Sequence, residues 1–233
     1  MSENKVVLDG DEMRRTLVRI AHEIVERHEG PDGLAVIGIH RRGAVLAERL
    51  HALLCDLLDA DVPLGFVDIS FYRDDLAQRT DTPLVHATTI DFAVDGATVV
   101  IVDDVLYTGR TVRAAIEALF AYGRPAKVQL AVLADRGHRE LPIRPDYVGK
   151  NLPTARAERV NVRVSEIDGV DEVTIASDVA EARSPGAGRG HVAGAGSPGA
   201  GRGDVAGAGS PGAGRGDVAG AGSPGAGETE NPA

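Results

Sequence analysis

Two adjacent carboxylates, Asp103 and Asp104, come directly after an apolar run in the stretch VVIVDDVLYTGRT (99–111). The β-forming residues before them predict a buried strand, and ligands of open α/β sheets bind at the carboxyl ends of the strands. The turn that follows contains Gly109 and two threonines and opens a predicted helix, whose unpaired N–H groups and dipole favour an anion. The stretch therefore predicts a phosphate cradle beside two carboxylates. Such a site suits a ligand with a phosphate and a vicinal diol, such as ribose 5-phosphate.

Three other interpretations of the paired acids compete with this one. Receiver domains also carry paired acids, but on their first strand, whereas two strand–helix units precede the acids here. A Walker-type ATPase needs the motif G-x-x-x-x-G-K-[ST], which the sequence lacks. The acids could also cap the next helix, although two acids before a TGRT turn are more than a cap needs. The pattern favours binding of a phosphorylated sugar.

Strand and helix patterns alternate around this stretch. The first helical pattern has apolar residues at a helical spacing, with Asp9 and Glu12 placed as in a capping box and Gly30 suited to its end. The segment 73–89 is polar and is predicted to be a loop. The alternation predicts an α/β fold with a central, mostly parallel sheet and helices on both faces. Helices are predicted over 8–30, 43–59 and 109–123, and strands over 34–40, 62–72, 97–104 and 127–135, with a late strand pair within 160–176.

Composition restricts the class of protein. The net charge of −10 argues against non-specific nucleic-acid binding over the whole surface, but it leaves room for a local basic patch. No apolar run approaches the ~20 residues of a membrane span, and the N-terminus lacks an apolar stretch of the signal-peptide type. We therefore expect a cytoplasmic protein that does not enter a membrane. The single cysteine, Cys55, lies in an apolar pattern and is expected to pack in the interior.

The C-terminal part of the chain is a repeat. From Ser184 onward, units of the type SPGAGRGDVAGAG recur with a period of 13 residues. These units contain too few apolar side chains to offset the entropy of ordering the chain. We expect a folded domain over 1–182 and a disordered tail over 183–233.

The stretch VVIVDDVLYTGRT closely resembles the signature of type I phosphoribosyltransferases, which bind 5-phosphoribosyl 1-diphosphate (PRPP) with magnesium. The segments VDISFYRDDL (67–76), LADRGHRELPIRPDYVGKNLPT (133–154) and RRTLVRIAHEIVER (14–27) are similar to the family of bifunctional pyr operon regulators and uracil phosphoribosyltransferases. The resemblance covers about residues 5–180. It implies the type I phosphoribosyltransferase fold, in which flanking segments form a small hood.

The resemblance also implies roles for individual residues. Asp103 and Asp104 would bind the ribose hydroxyls, directly or through water bound to Mg²⁺, and together with Arg136 they are the catalytic candidates. Asp135 and Arg136 would form the base pocket. The diphosphate loop would comprise His40, Arg41, Arg42 and Gly43, with Arg73 from a loop that closes over the site; Arg41 departs from the Thr that the family commonly has there. The residues implied in PRPP binding are Val99, Val100, Ile101, Val102, Asp103, Asp104, Val105, Leu106, Tyr107, Thr108, Gly109, Arg110 and Thr111.

The implied reaction is displacement of diphosphate from PRPP by a ring nitrogen of uracil, which gives UMP. The same family binds the leader of pyr mRNA and attenuates transcription in response to uridine nucleotides, UMP or UTP, and it forms homo-oligomers. Candidate RNA-binding residues are Arg14, Arg15, Arg19 and His22 on the first helix and His138, Arg144 and Lys150 on later segments.

Two further interpretations of the function and one of the basic helix face stay open. The protein could be a purely catalytic phosphoribosyltransferase for another base. It could also be a UMP-sensing regulator with negligible activity. The basic residues of the first helix could simply form a solvated face, since Glu23 and Glu26 lie near them in the sequence.

Overall fold

The structure is a computed structural model that describes residues 4–28, 30–69 and 87–177. These residues belong to one compact unit. Most of the predicted loop over 73–89, including Arg73, lies outside the described residues, as does the repeat tail. The elements, in chain order, are β1 (Lys5–Asp9), α1 (Gly10–Arg27), β2 (Leu34–Ile39), α2 (Arg42–Leu58), β3 (Leu64–Val67), β4 (Thr98–Leu106), α3 (Arg110–Phe120), β5 (Lys127–Asp135), β6 (Tyr147–Asn151), β7 (Glu158–Arg163), α4 (Ser165–Asp168) and β8 (Glu172–Ser177).

Five parallel strands form the central sheet in the order β3-β2-β4-β5-β6. Alternate residues of a strand point to opposite faces, and the core divides accordingly. On one face Val100 and Val102 of β4 pack with α1 and α2, and on the other face Val99 and Ile101 pack with α3. The predicted α/β architecture with helices on both faces is confirmed.

The capping box of α1 is present as the sequence predicts. The Asp9 carboxylate accepts the Glu12 N–H at 2.8 Å, and the Glu12 carboxylate accepts the Asp9 N–H at 3.0 Å. The helix ends at Arg27, before the predicted stop at Gly30, because His28 is already extended. The third helix also ends early, at Phe120 instead of residue 123.

A second, three-stranded antiparallel sheet has the order β1-β8-β7. With α4 it forms the hood, which is built from the two ends of the described chain. The predicted late strand pair corresponds to β7 and β8. The sequence does not predict β1, because its five residues are too few to show an alternating pattern distinct from the helical pattern that follows them.

The sequence also does not predict the edge strand β6, YVGKN, since Gly, Lys and Asn are poor strand formers. Gly149 is required there by packing, because a Cβ at this position would lie 2.2 Å from the carbonyl oxygen of Leu133. The predicted strand over 62–72 is shorter in the structure: β3 ends at Val67, and residues 68–69 are not in a strand.

The order of the strands positions the site. In the sheet β2 lies between β3 and β4, so the strand order changes direction at β2. A crevice forms at such a switch point, outside the carboxyl ends of β2 and β4. The loop at 40–41 and the acids of β4 both lie at this end of the sheet. Among the described helices, none combines the length and the apolar content that a membrane span needs.

Candidate active site

The two acids of β4 occupy different surroundings. Asp103 is 5% exposed, whereas Asp104 is half-buried and lines a cavity of about 410 Å³. Each carboxylate accepts the N–H of the next residue, Asp103 from Asp104 at 2.9 Å and Asp104 from Val105 at 2.7 Å. Desolvation raises the pKa of the Asp104 carboxyl above its ordinary value, while the hydrogen bond from Val105 and the nearby Arg42 cation act in the opposite direction. The two acids of the predicted pair therefore differ in burial and in access to the cavity.

The turn after β4 has the geometry of an anion-binding helix start. Gly109 precedes α3 with a φ of 94°, a left-handed conformation that glycine adopts without strain. Gly109 has no side chain to cap α3, and the Arg110 N–H donates to the Thr108 hydroxyl at a long distance, 3.4 Å. The carbonyl of Thr108 accepts two N–H groups, from Glu140 at 3.0 Å and from Leu141 at 3.1 Å, which hold the turn in place. These features fit a phosphate at this position.

The side chains of five residues implied in PRPP binding are buried in the core: Leu106, which is 1% exposed, and the four residues before the acids. Val99, Val100, Ile101 and Val102 are at most 3% exposed in the interior of β4. Their apolar side chains fix the strand in the core. They contribute to the site by holding the acids in position.

The loop after β2 approaches the same crevice. The peptide bond between His40 and Arg41 is cis. Gly43, in the first turn of α2, lies so close to β4 that a Cβ would be 2.8 Å from the Val102 carbonyl oxygen and 3.2 Å from the Asp103 carboxylate. This close approach brings the start of α2 against Asp103, and the assignment of 40–43 to a diphosphate loop stays a prediction.

Arg42 lines the cavity together with Asp104, but its guanidinium also has a partner in the hood. Nε lies 3.0 Å from Oδ2 of Asp168, and Nη2 lies 2.7 Å from Oδ1. This hydrogen bonding raises the pKa of Arg42 and lowers the pKa of the Asp168 carboxyl. The sequence does not indicate Asp168 as a site residue, since the segment EIDGVDE that contains it carries no chemical motif. The cavity is lined by Asn4, Arg42, Asp104, Val160, Asn161, Val162, Arg163 and Thr174.

The two residues predicted for the base pocket are engaged within the protein. Asp135 accepts the Gly137 N–H at 2.8 Å and pairs with Arg139 at 2.5 Å. Arg136 is 8% exposed, and its guanidinium donates to the carbonyls of Arg156 and Glu158. Neither residue lines the cavity that contains Asp104. Their assignment to the base pocket stays a prediction.

Arg139 supports the site, although its sequence context does not indicate this role. Its guanidinium holds the turn that follows β4 by hydrogen bonds to several backbone carbonyls. Because Arg presents five N–H donors in a planar fork, it can satisfy several acceptors at once. The acceptors are the carbonyl oxygens of Leu106, Tyr107, Gly137 and Ile143 and the carboxylate of Asp135.

The basic residues predicted to bind RNA fall into two groups. Arg14, Arg15, His22 and Arg144 are exposed, and the described residues offer them no polar partner. The other three have partners within the protein. Arg19 donates to the carbonyls of Val148 and Gly149 and pairs with Glu23, Lys150 donates to the carbonyl of Val7, and His138 bonds the carbonyl of Thr154. The bonds from Arg19 attach α1 to β6, which places these segments side by side.

A cluster of metal-ligating types lies elsewhere, at the end of α2. The donor atoms of His51, Cys55 and Asp61 are within 4.8 Å of one another. Two of them already serve the backbone of buried Val62: His51 Nε2 is 2.6 Å from its carbonyl oxygen, and Cys55 Sγ accepts its N–H at 3.5 Å. Because a carbonyl only accepts, Nε2 carries the proton in this bond and cannot ligate a metal there. Cys55 packs against the core, as predicted.

Comparison with known proteins agrees with the fold and the signature. Residues 4–165 match the family model of the phosphoribosyl transferase domain. Solved structures of hypoxanthine phosphoribosyltransferases have the same fold. One from Trypanosoma cruzi superposes with a TM-score of 0.58 at 22% identity, over 76% of this chain and 96% of that one. One from Staphylococcus aureus gives 0.55 at 19% identity, over 72% and 90% of the two chains. The fold and the matched family model are thus those of a phosphoribosyltransferase.

Curated relatives narrow the family further. The Bifunctional protein PyrR of Roseiflexus is 58% identical over 177 residues, which is 76% of this chain and 97% of the relative. The Bifunctional protein PyrR of Deinococcus deserti is 57% identical over 169 residues, or 72% and 92% of the two chains. The chain belongs to the PyrR family of phosphoribosyltransferases.

Proposed function

We propose that this protein transfers the 5-phosphoribosyl group of PRPP to uracil, giving UMP and diphosphate, and that it also regulates the pyr operon by binding pyr mRNA. The observation that carries the enzymatic part is the meeting of three features at one end of the sheet. These are the acids of β4, the helix start after Gly109 and the loop at 40–43. Membership of the PyrR family supports both activities.

The transfer forms a bond between the ribose C1 and a ring nitrogen of uracil and breaks the bond from C1 to the diphosphate oxygen. Positive charge develops on the ribose ring, and negative charge develops on the leaving diphosphate. Asp103 and Asp104 would bind the ribose hydroxyls and lie beside the developing positive charge, while the N–H groups at the start of α3 would hold the 5-phosphate. Catalysis of this kind depends on positioning and on electrostatic stabilisation in a site from which water is excluded. We assign no general base.

The acids suit a magnesium ion. Mg²⁺ prefers oxygen ligands and is commonly bound through one or two carboxylates together with substrate phosphates. Asp104 lines the cavity, and its carboxylate has lone pairs beyond the one that accepts the Val105 N–H. Asp103 and Asp104 are therefore the residues that would hold the ion, directly or through water. When bound, Mg²⁺ would neutralise charge on the diphosphate.

Regulation would use a surface formed by α1 and the neighbouring β6. Arg14, Arg15, His22 and Arg144 would contact the RNA, because they are exposed. Arg19 and Lys150 would act mainly by fixing α1 and β6 in place, since both donate to backbone carbonyls. We expect uridine nucleotides to modulate this binding, the protein to form homo-oligomers, and both activities to reside in the cytoplasm, where the mRNA is made. The division into a domain over 1–182 and a tail over 183–233 is part of the same proposal.

The first test is release of diphosphate from PRPP in the presence of uracil, with and without Mg²⁺, with orotate, adenine and hypoxanthine tested alongside in separate reactions. Turnover that depends on uracil and Mg²⁺ is the expected result. Turnover with another base alone would mean a different specificity. Binding of UMP without turnover of any base would mean a nucleotide-sensing regulator.

A further inference from the structure

Two arginines of α2 attach the hood to the central sheet. Arg42 and Arg49 are two helical turns apart and therefore lie on one face of the helix. Arg42 binds both carboxylate oxygens of Asp168. Arg49 donates to Asp171 at 2.8 Å and to Glu166 at 2.9 and 2.5 Å. Both arginines thus make the same kind of link, from α2 to the segment around α4.

The two aspartates at the hood end of these links are closely matched. Asp168 also accepts the Val164 N–H at 3.0 Å, and Asp171 also accepts the Ser165 N–H at 2.8 Å. The Asp168 side chain is 17% exposed and that of Asp171 is 26% exposed. Each carboxylate therefore joins one arginine to one backbone N–H of the hood.

The two links differ in where the arginine lies. Arg42 is the first residue of α2, directly after the loop at 40–41, and it lines the cavity with Asp104. Arg49 lies two turns further along the helix and does not line this cavity. Of the two arginines, only Arg42, the partner of Asp168, therefore lies in the candidate active site.

The bidentate contact determines the orientation of the Arg42 guanidinium. Asp168 engages Nε and Nη2, and two bonds to a planar fork fix its plane as well as its position. A guanidinium has five N–H donors, so three remain for a ligand in the cavity. A diphosphate bound there would meet a cation that is already oriented.

We propose that Asp168 is a positioning residue for the transfer reaction, which holds the Arg42 guanidinium in the orientation that binds the diphosphate of PRPP. This inference rests on the proposed function and deepens it. The hood thereby contributes to binding of the leaving group through a side chain that need not touch the substrate itself. Asp171 has no such role, because its arginine does not line the cavity.

The experiment compares Asp168→Asn with the matched control Asp171→Asn in the full-length chain. Each variant loses one carboxylate charge opposite an arginine and keeps an oxygen for the backbone N–H. Calorimetry measures the dissociation constants of magnesium diphosphate and of UMP, and steady-state kinetics measure KM for PRPP and kcat. UMP is the informative second ligand, because it occupies the ribose, phosphate and base positions but carries no diphosphate.

We expect Asp168→Asn to weaken diphosphate binding and to raise KM for PRPP by about tenfold, the effect of misplacing one charged contact. Binding of UMP should change less than about twofold, and Asp171→Asn should leave both ligands within about twofold. Asp168→Glu should recover part of the loss, because it restores the charge with a longer side chain. Arg42→Lys should reproduce the selective loss, since Lys keeps the charge but cannot form the two-nitrogen contact.

Several results would overturn the inference. If the two Asn variants lose diphosphate and UMP binding together, Asp168 only attaches the hood. If Asp168→Asn binds diphosphate more tightly, Asp168 competes with the ligand for Arg42. If Asp168→Asn does not fold, Asp168→Glu decides the question, because diphosphate binding and KM for PRPP equal to those of the wild type would show that the placement of this carboxylate does not matter. A wild-type protein that binds both ligands without turnover would contradict the proposed activity, while the comparison of binding constants would still test Asp168.

Discussion

Cζ of Arg136 lies 4.0 Å from the centroid of the Tyr107 ring, so the buried guanidinium stacks on an aromatic side chain from the turn that follows β4. The same guanidinium donates to the carbonyls of Arg156 and Glu158, which lead into the hood strand β7. One side chain thus connects the candidate phosphate-binding turn with the hood.

Replacement of Arg136 by Ala should destabilise the fold. It removes the donors of two backbone carbonyls and leaves a hole beneath Tyr107, and losses of this kind cost roughly 2–4 kcal/mol. Urea unfolding of the wild type and of Arg136→Ala measures the difference in their free energies of unfolding. Arg15→Ala is the control, because Arg15 is exposed, and it should change the stability by less than about 0.5 kcal/mol. Equal stability of the two variants would contradict the connecting role.

Replacement of the two acids of β4 by Asn tests their contribution to turnover. Asp103→Asn and Asp104→Asn together should abolish turnover, because the variant keeps the shape of the site but loses its negative charge. Asp104→Asn alone should lower kcat/KM for PRPP by at least ~100-fold, since Asp104 is the acid that lines the cavity. Diphosphate release is the assay. Asp59→Asn at the end of α2 is a control for the substitution and should retain activity, because Asn tolerates the left-handed backbone there.

Gly109→Ala tests the turn that would hold the 5-phosphate. A side chain at a φ of 94° costs about 1–2 kcal/mol, and relief of that strain would move the first N–H groups of α3. We expect lower stability and a raised KM for PRPP. Gly96→Ala is a matched control, because Gly96 has a φ of 74° and open space around it. It should lose similar stability without a change in KM, and a rise in KM for both variants would contradict the assignment.

Acid should weaken the attachment of the hood. Hydrogen bonds from Arg42 and Arg49 lower the pKa of the Asp168 and Glu166 carboxyls. Desolvation opposes the same change at Asp171, yet its pKa is also lowered. Carboxyls whose pKa is lower in the folded state stabilise it above the unfolded values of about 3.9–4.3, and they lose this contribution as the pH falls through the folded values.

Comparison of the wild type with Arg49→Gln measures how much the ion pairs of Arg49 contribute to stability at each pH. The wild type should be the more stable protein at pH 7, and the difference in free energy of unfolding should shrink below about pH 4. Thermal unfolding between pH 7 and pH 3 follows it. A difference that stays constant over this range would show that the ion pairs are not its source.

RNA binding should depend on the exposed arginines of α1. Arg14→Ala with Arg15→Ala should weaken binding of a pyr leader RNA, and the slope of log K against log salt should become shallower by about 0.7–0.9 for each phosphate that the variant no longer neutralises. Stability should stay unchanged. Arg19→Ala should instead destabilise the fold, because it removes the bonds to Val148 and Gly149. Unchanged RNA affinity in the double variant would exclude this face.

The parts of the structure that the sequence predicts are those determined by local rules. The capping box of α1, the buried strand β4 and the helix start after Gly109 each depend on residues within a few positions of one another. The paired acids can be placed near the carboxyl end of their strand for the same reason, although β4 continues to Leu106 instead of ending at residue 104 as predicted. Their unequal burial cannot, because it depends on the hood and on α2.

The parts that the sequence does not predict depend on distant partners. The segment EIDGVDE gives no indication that Asp168 meets Arg42, since the two are separated by most of the chain. The arginines of RGHR could bind a base or a phosphate by type, but Arg136 and Arg139 are directed toward carbonyls of the protein itself. Lys150 likewise donates to Val7 of the first strand. For these side chains the partner, and not the residue type, determines the role.

The pairing of β1 with β8 joins Asp9 to Glu172, residues near opposite ends of the described chain. The central parallel sheet needs no residue beyond Asn151, whereas the hood cannot close its sheet until β8 has been synthesised. Contacts with such a large sequence separation form late in folding, because a long loop must close first. A nascent chain would therefore acquire its phosphate-binding turn before its hood, and Arg42 would meet Asp168 only once the segment through β8 has been synthesised.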